Sequence, residues 1–359
     1  MYNISLKILR LFPPELAHKI TINSLKYAGY RNRENDDPIL SQHILGLDFP
    51  NPIGLAAGFD KNAEVVKSMF SFGFGFVEIG TVTPKPQKGN IKPRVFRLTE
   101  DNAIINSLGF NSKGIENVRK NLSKIQNPYF NNKIIGINLG KNKDSTDDIK
   151  DYLYGIEELG NFSSYITINI SSPNTKGLRD LQLRGNIEKL IKEIIKKREE
   201  ISIINKKPIL IKISPDLNDD QLRDIALISL ANGIDGLILT NTTINRPDIL
   251  KSKSKLKIGG LSGKPIFEIS NTILKKMYNL TNGQIPLIGV GGISSGTDCY
   301  EKLKSGASLI QLYTALVYQG PELISNMKNE LVYLIKTEGY KKVSEVIGKS
   351  VWYEKITVN

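Results

Sequence analysis

The chain has 359 residues, 49 of them basic and 36 acidic, giving a formal charge of +13 and an isoelectric point near 9.4. Hydrophobic residues make up 40% without a low-complexity tract or a run of about 18 apolar residues, which excludes a disordered chain, a collagen and a spanning helix. One cysteine, Cys299, and two histidines, His18 and His43, leave no material for an internal disulfide, a multi-thiolate or histidine metal site, or a Ser–His–Asp triad, so no metal is expected.

Residues 1–33 carry six basic side chains, Lys7, Arg10, Lys19, Lys26, Arg31 and Arg33, against Glu15 alone, a local +5 on an Ile-, Leu-, Phe- and Tyr-rich background. Ile4, Ile8, Leu11 and Phe12 recur at helical spacing, Pro13 and Pro14 stop that segment, and Pro14 with Glu15 suits the first turn of a second helix. The pattern predicts two short amphipathic helices. They have two possible placements, in a lipid interface or simply packed on the main domain. Lys7 and Arg10 interrupt the apolar run and no small-residue cleavage site follows it, so neither a signal peptide nor a transmembrane anchor is expected.

From residue 51 onward short β-rich apolar runs alternate with longer segments of helical period. Strands are predicted at 52–57, 75–80, 134–139, 165–170, 208–213, 235–240, 286–290 and 308–313, and helices at 63–71, 113–125, 186–203, 219–231, 265–280, 297–304 and 321–337. Eight such units point to a closed parallel (β/α)8 TIM barrel rather than a doubly wound open sheet, since no dinucleotide fingerprint follows the first strand. The expected domains are an N-terminal helical extension over 1–40 and the barrel over 41–359.

In such a barrel the residues just after each strand line one mouth and form the site. Those positions are Ala57, Gly58, Phe59, Asp60, Lys61, Thr81, Asn138, the stretch from Asn169 to Asn174, Lys212, Thr240, Asn241, Thr242, Gly291, Gly292, Tyr313 and Thr314. Amides, hydroxyls, lysines and glycines dominate, so the mouth suits an anionic ligand rich in hydrogen-bond acceptors. GVGGI at 289–293, with 308–314 leading out of the eighth strand, falls where such barrels bind phosphate, and GGLSGKP at 259–265 reads as another glycine-rich loop before a helix. Together these favour a phosphate-bearing cofactor over ordinary turns. Lys61 and Lys212 converge on the mouth from strand ends, one suited to a substrate carboxylate and the other to negative charge on a reduced flavin ring. NISSPNT at 169–175 ends the fourth strand. Its serines either form a turn or place Ser172 against an activated C–H, with Asn169 and Asn174 offering amides to an imide-like ring.

AAGFDK at 56–61, EIGTVTPKPQKGN at 78–90, PRVFRL at 93–98, NSLGFN at 106–111, GINLGKNK at 136–143, NISSPNT, IKISPD at 211–216, NTT at 241–243, GGLSGKP, GVGGI and QLYT at 311–314 resemble the dihydroorotate dehydrogenase family, in family order and through essentially the whole barrel. The resemblance implies FMN-dependent oxidation of dihydroorotate to orotate in pyrimidine biosynthesis, with Ser172 as the base that takes the C5 proton. It implies substrate contacts at Lys61, Asn106, Ser107, Leu108, Gly109, Phe110, Asn169, Asn174, Asn241 and Thr242. FMN contacts would be Ala57, Gly58, Phe59, Asp60, Lys61, Thr81, Asn138, Asn169, Lys212, Thr240, Gly263, Gly292, Tyr313 and Thr314.

Class 1 members of that family place a cysteine where this chain has Ser172, and their NAD-using branch adds an iron–sulfur subunit, so no such partner is expected. RLFPPELAHKIT at 10–21 resembles the N-terminal extension of the membrane-associated class 2 enzymes, which forms a quinone tunnel. The resemblance implies ubiquinone or menaquinone as acceptor, with His18, Arg97 and Tyr313 along the path, although His18 by itself reads equally as a packing histidine. A peripheral position on the cytoplasmic face of a bacterial inner membrane is expected, since no Arg/Ser-rich leader is present. A flavin barrel acting on nucleic acid, such as a tRNA dihydrouridine synthase, would suit the +13 charge, but those enzymes use a catalytic cysteine and a separate C-terminal helical domain. No nucleic-acid partner is expected. The intact motif series argues against a degenerate, non-enzymatic barrel.

Overall fold

The N-terminal segment forms the two expected helices, α1 (Tyr2–Leu11) and α2 (Pro14–Tyr27), with Pro13 as the N-cap of the second. They belong to a computed structural model that describes residues 2–28, 36–125, 132–201 and 206–351. Part of the 1–40 segment, including Arg31 and Arg33, lies outside the described residues, as do the last two positions of the helix predicted at 186–203.

A hairpin follows, β1 (Gln42–Ile44) and β2 (Leu47–Phe49), with both turn residues, Leu45 and Gly46, at positive φ, as a two-residue hairpin turn requires. The barrel then begins with β3 (Ile53–Leu55), α3 (Val66–Ser71) and β4 (Phe76–Val82). An insertion of two short strands, β5 (Val95–Leu98) and β6 (Ala103–Asn106), precedes α4 (Ile115–Ser123). Then come β7 (Ile134–Leu139), α5 (Asp148–Leu159), β8 (Tyr165–Asn169), α6 (Arg184–Ile201), β9 (Ile209–Ile213), α7 (Asp219–Ala231) and β10 (Gly236–Leu239). The chain finishes with β11 (Gly260–Gly263), α8 (Phe267–Leu280), β12 (Leu287–Val290), α9 (Gly296–Lys304), β13 (Leu309–Leu312), α10 (Thr314–Gln319) and α11 (Glu322–Thr337).

Each of the eight predicted runs supplies a barrel strand. The barrel closes in the order β10, β12, β13, β3, β4, β7, β8, β9, every neighbouring pair parallel. Ile and Leu dominate because both faces of each strand are covered, one by the barrel interior and the other by the helices. α7 starts at a reciprocal cap between Asn218 and Gln221, and α9 starts where Ser295 accepts the Asp298 N–H.

Several findings depart from the sequence expectations, among them α10, which no predicted helix covers. α5 had not been predicted; it begins where Asp147 accepts the Lys150 N–H and completes the third unit. Residues 260–263, expected as a glycine-rich loop, are strand β11, which pairs antiparallel with β6, itself paired with β5. This small sheet joins segments from two distant loops, so no local pattern announces it. Lys212 lies within β9 rather than after it.

The interior narrows to an apolar plug at the N-terminal end of the strands, where Phe49 from the hairpin meets Phe76, Ile134, Tyr165, Leu210, Ile238, Ile288 and Leu309. Glycines make room for the rings: a Cβ on Gly54 would come 2.3 Å from the Phe76 ring, and one on Gly136 2.1 Å from Tyr165. Small residues opposite large ones are how a narrow barrel fills its axis.

Candidate active site

Above the plug sits a polar layer. The Glu78 carboxylate, fully buried on β4, accepts four hydrogen bonds: from Asn138 Nδ2 at 2.8 Å, Gln311 Nε2 at 2.8 Å, Tyr165 Oη at 3.0 Å and Thr167 Oγ1 at 3.1 Å. Asn138 passes the order upward, its Oδ1 accepting from Thr81 Oγ1 at 2.6 Å and Asn169 Nδ2 at 3.1 Å. Lys212 is buried on the same level without a hydrogen-bond acceptor among the described residues. Burial pushes its ammonium pKa down, and the charge of Glu78 opposes that shift.

A cavity of about 1480 Å³ opens over this floor and continues outward between α1, α2 and the small sheet. Its walls include Ala57, Gly58, Phe59, Lys61, Thr81, Asn106, Leu108, Gly109, Phe110, Asn169, Ser172, Asn174, Lys212, Thr240, Asn241, Thr242, Gly263, Gly292, Tyr313 and Thr314, together with His18 and Arg97. Three predicted residues stand behind the wall. Asp60 accepts the Glu64 and Val65 backbone N–H groups at 2.8 Å and holds the loop that carries Lys61; burial raises its pKa to about 6 against those bonds. Asn138 is engaged beneath the floor, and Ser107 bonds to the chain through its backbone, to Arg94 and Asn90.

Charge is one-sided around this space. Among the lining residues Glu15 is the only acid, against Arg10, Lys19, Lys61, Lys92, Arg97, Lys212 and Lys264. Burial, helped by Arg94, pushes Lys61 down to about 8, the state of an ammonium awaiting a counter-ion. Amides line the wall opposite. Asn174 Nδ2 donates to the Asn106 carbonyl at 3.0 Å and Asn241 Nδ2 to Ser171 Oγ at 2.9 Å, while Ser172 Oγ accepts the Asn174 N–H at 3.3 Å. Ser172 is 6% exposed.

The outer reach of the cavity belongs to the N-terminal helices. Glu15 on α2 binds Arg94 at 2.8 Å, Lys26 binds Glu64 at 2.7 Å, and Arg97 donates to the carbonyls of Arg10 and Phe12 at 2.9 and 3.0 Å, capping the end of α1. His18 meets the Phe59 ring edge-on at 5.3 Å, and Phe59 meets Tyr313 edge-on at 5.5 Å, so one aromatic file runs from α2 to the end of β13. Burial, then Lys61, pushes His18 down to about 4, which makes it a neutral imidazole at physiological pH.

The sequence reading missed Glu78, Gln311, Arg94 and Glu15 as organisers of the site. A charged residue inside the buried run at 75–80 was the available signal for Glu78. The Arg94–Glu15 pair links a loop to α2, far apart in sequence, and leaves no local trace.

A family model for dihydroorotate dehydrogenase matches residues 39–335. The chain is 45% identical over 355 residues to a dihydroorotate dehydrogenase (quinone) of Xanthobacter autotrophicus, covering 98% of this chain and 99% of that protein. It is also 45% identical to the mitochondrial dihydroorotate dehydrogenase (quinone) of Mus musculus, over 94% of this chain and 87% of the relative. A crystal structure of the ligand-free DHODH of Eimeria tenella superposes with a TM-score of 0.90 at 43% identity, covering 94% and 99% of the two chains. With fold, motifs and full-length similarity in agreement, this chain belongs to the dihydroorotate dehydrogenase family, in its class 2, quinone-dependent branch.

Proposed function

We propose that this chain oxidises dihydroorotate to orotate and passes the electrons through FMN to a membrane quinone. The observation that carries this reading is the single cavity whose inner end is a cationic, amide-lined pocket over Glu78 and whose outer end is the exposed helical hairpin. The residues fit FMN: Lys212 is a buried ammonium without a hydrogen-bond acceptor among the described residues, Asn169 and Thr240 present polar groups beside it, and the glycine loop at 291–292 leaves backbone room for a phosphate. Bound FMN would supply a hydride acceptor for the dihydro ring and a redox centre able to release electrons singly or in pairs to a quinone.

The chain's own residues do the rest. Lys61 pairs with the substrate carboxylate, and Asn106, Asn174 and Asn241 hold the ring's imide and ureido edges. Ser172 Oγ takes the C5 proton as its own hydroxyl proton passes to a water molecule, since no carboxylate or imidazole is bonded to it among the described residues; the Asn174 N–H fixes its oxygen. Lys212 supplies positive charge to offset negative charge on the cofactor. Ala57, Gly58, Thr81, Gly263, Tyr313 and Thr314 shape the cofactor wall, and Asp60, Asn138 and Ser107 position the residues in front of them.

His18, Phe59, Tyr313 and Arg97 line the way to the quinone. We assign residues 1–40 to the extension and 41–359 to the catalytic barrel. Leu11 is 84% exposed and Ile8, Phe12 and Leu16 are also exposed, beside Lys7 and Lys19; an apolar face among lysines fits an anionic lipid surface. No helix among the described residues is long and apolar enough to cross a membrane. In a bacterial cell the matching surface is the cytoplasmic face of the inner membrane, where a dissolved anion and a lipid-dissolved quinone reach opposite ends of one cavity.

The deciding experiment is anaerobic. Purified protein is expected to be yellow, to bleach on adding dihydroorotate, and to recover colour with a quinone but not with fumarate or NAD. A colourless protein that stays inactive with added FMN, or recovery with NAD alone, overturns the assignment.

A further inference from the structure

Lys302 points from α9 into the apolar layer between the barrel and α8, where it is fully buried. Among the described residues no carboxylate pairs with it. Its ammonium donates to Ser270 Oγ and lies 4.9 Å from the centre of the Phe267 ring. Burial pushes its pKa down to about 7, opposed by the more distant charges of Asp298 and Glu268. A buried cation without a carboxylate partner costs stability, so its presence here points to a role.

Its neighbour shows what that is. Ser270 Oγ donates to the Gly291 carbonyl at 3.1 Å and the Phe267 carbonyl at 2.9 Å. A hydroxyl has one proton, and an ammonium can only donate. In its ammonium form Lys302 therefore occupies a Ser270 lone pair and leaves the serine proton shared between the Phe267 and Gly291 carbonyls. The Gly291–Gly292 peptide is trans, so its C=O and N–H point in opposite directions. Holding the carbonyl inward on Ser270 turns the Gly292 N–H outward, on the side where Gly291 and Gly292 line the cavity. No acceptor among the described residues takes that N–H. The loop has little freedom to turn back: Gly291 and Gly292 sit at φ 120° and 78°, and a Cβ at 292 would come 2.5 Å from the Phe267 backbone.

We infer that Lys302 and Ser270 are positioning residues, a buried relay that locks the Gly291–Gly292 peptide with its N–H aimed at the phosphate of the bound flavin and sets a positive charge behind it. This rests on the FMN reading above. The relay touches neither substrate nor ring, so it discriminates one part of the cofactor from another.

The test compares FMN with riboflavin, which has the same ring and ribityl chain without the phosphate, on flavin-stripped full-length protein by fluorescence quenching. In Lys302→Met and in Ser270→Ala the FMN dissociation constant is expected to rise at least tenfold, or about 1.4 kcal/mol, while that of riboflavin stays within twofold. If Lys302→Met fails to fold by circular dichroism, Ser270→Ala, which removes one oxygen, decides alone. Unchanged FMN affinity, or equal loss for both flavins, overturns the relay. A wild-type protein that binds neither flavin overturns the cofactor reading and the relay with it, whereas normal FMN binding by wild type and variants alike overturns only the relay.

Discussion

Glu78→Gln tests whether the floor of the site is held by a charge. The carboxylate accepts from Tyr165, Thr167 and Gln311 on one oxygen and from Asn138 on the other. A glutamine can keep its oxygen toward the first three and must then place its NH2 against Asn138 Nδ2, donor to donor. Rotating the Asn138 amide to relieve this would forfeit its bonds from Thr81 and Asn169. The variant thus loses one charge-assisted bond and weakens three, in a layer whose side chains are fully buried. With hydrogen bonds to charged groups at about 1.5–3 kcal/mol each, the expected loss is about 2–4 kcal/mol of stability. Lys212 loses the charge that opposes its desolvation, so its ammonium pKa falls further and the cofactor is held more weakly. Guanidinium unfolding followed by circular dichroism, with flavin fluorescence reporting release, measures both effects. An unfolding midpoint equal to wild type, with flavin retained, would refute the idea that a charged Glu78 organises this layer.

Ser172→Ala should retain flavin while its anaerobic reduction by dihydroorotate slows by about 10²-fold or more, as for a lost general base; stopped-flow bleaching at normal speed would reject Ser172 as the base. Burial pushes the Lys61 ammonium down to about 8, and it must be protonated to bind a carboxylate, so dihydroorotate affinity should be constant below that value and fall as pH rises above it. Titration of flavin bleaching across pH 6–10 checks this, and affinity that does not fall above pH 8 contradicts it. Deleting residues 1–33 removes α1, α2 and the exposed Leu11 face, so reduction by dihydroorotate should persist while turnover with quinone analogues and recovery on anionic vesicles drop. Equal quinone turnover in both forms argues against a path through the hairpin.

The barrel was legible in the sequence because its rule is local. Buried parallel strands read as short runs such as IGINL and ILIKI, and the residues at their ends, among them Lys61, Asn169, Ser172 and Tyr313, fall around one mouth by pattern alone. The family resemblance then named the substrate and the flavin, which strand ends alone did not. Periodicity also marked the N-terminal hairpin, while leaving open whether it packs on the barrel or faces lipid. In the structure Glu15 and Lys26 tie α2 to the barrel, while Leu11 on α1 stays exposed.

Only the tertiary structure decided the rest, because it depends on pairings between distant segments. The β5, β6 and β11 sheet joins residues near 100 to residues near 260, and it turned an expected glycine loop into a strand that walls the cavity. Glu78 became the centre of a four-donor network only when β7, β8 and β13 closed around β4. Lys302 looked like any helix lysine in a chain of charge +13; folding buried it against Ser270 and the glycine loop. Sequence period sets which face of an element turns inward, but what that face meets there is set by closure of the barrel.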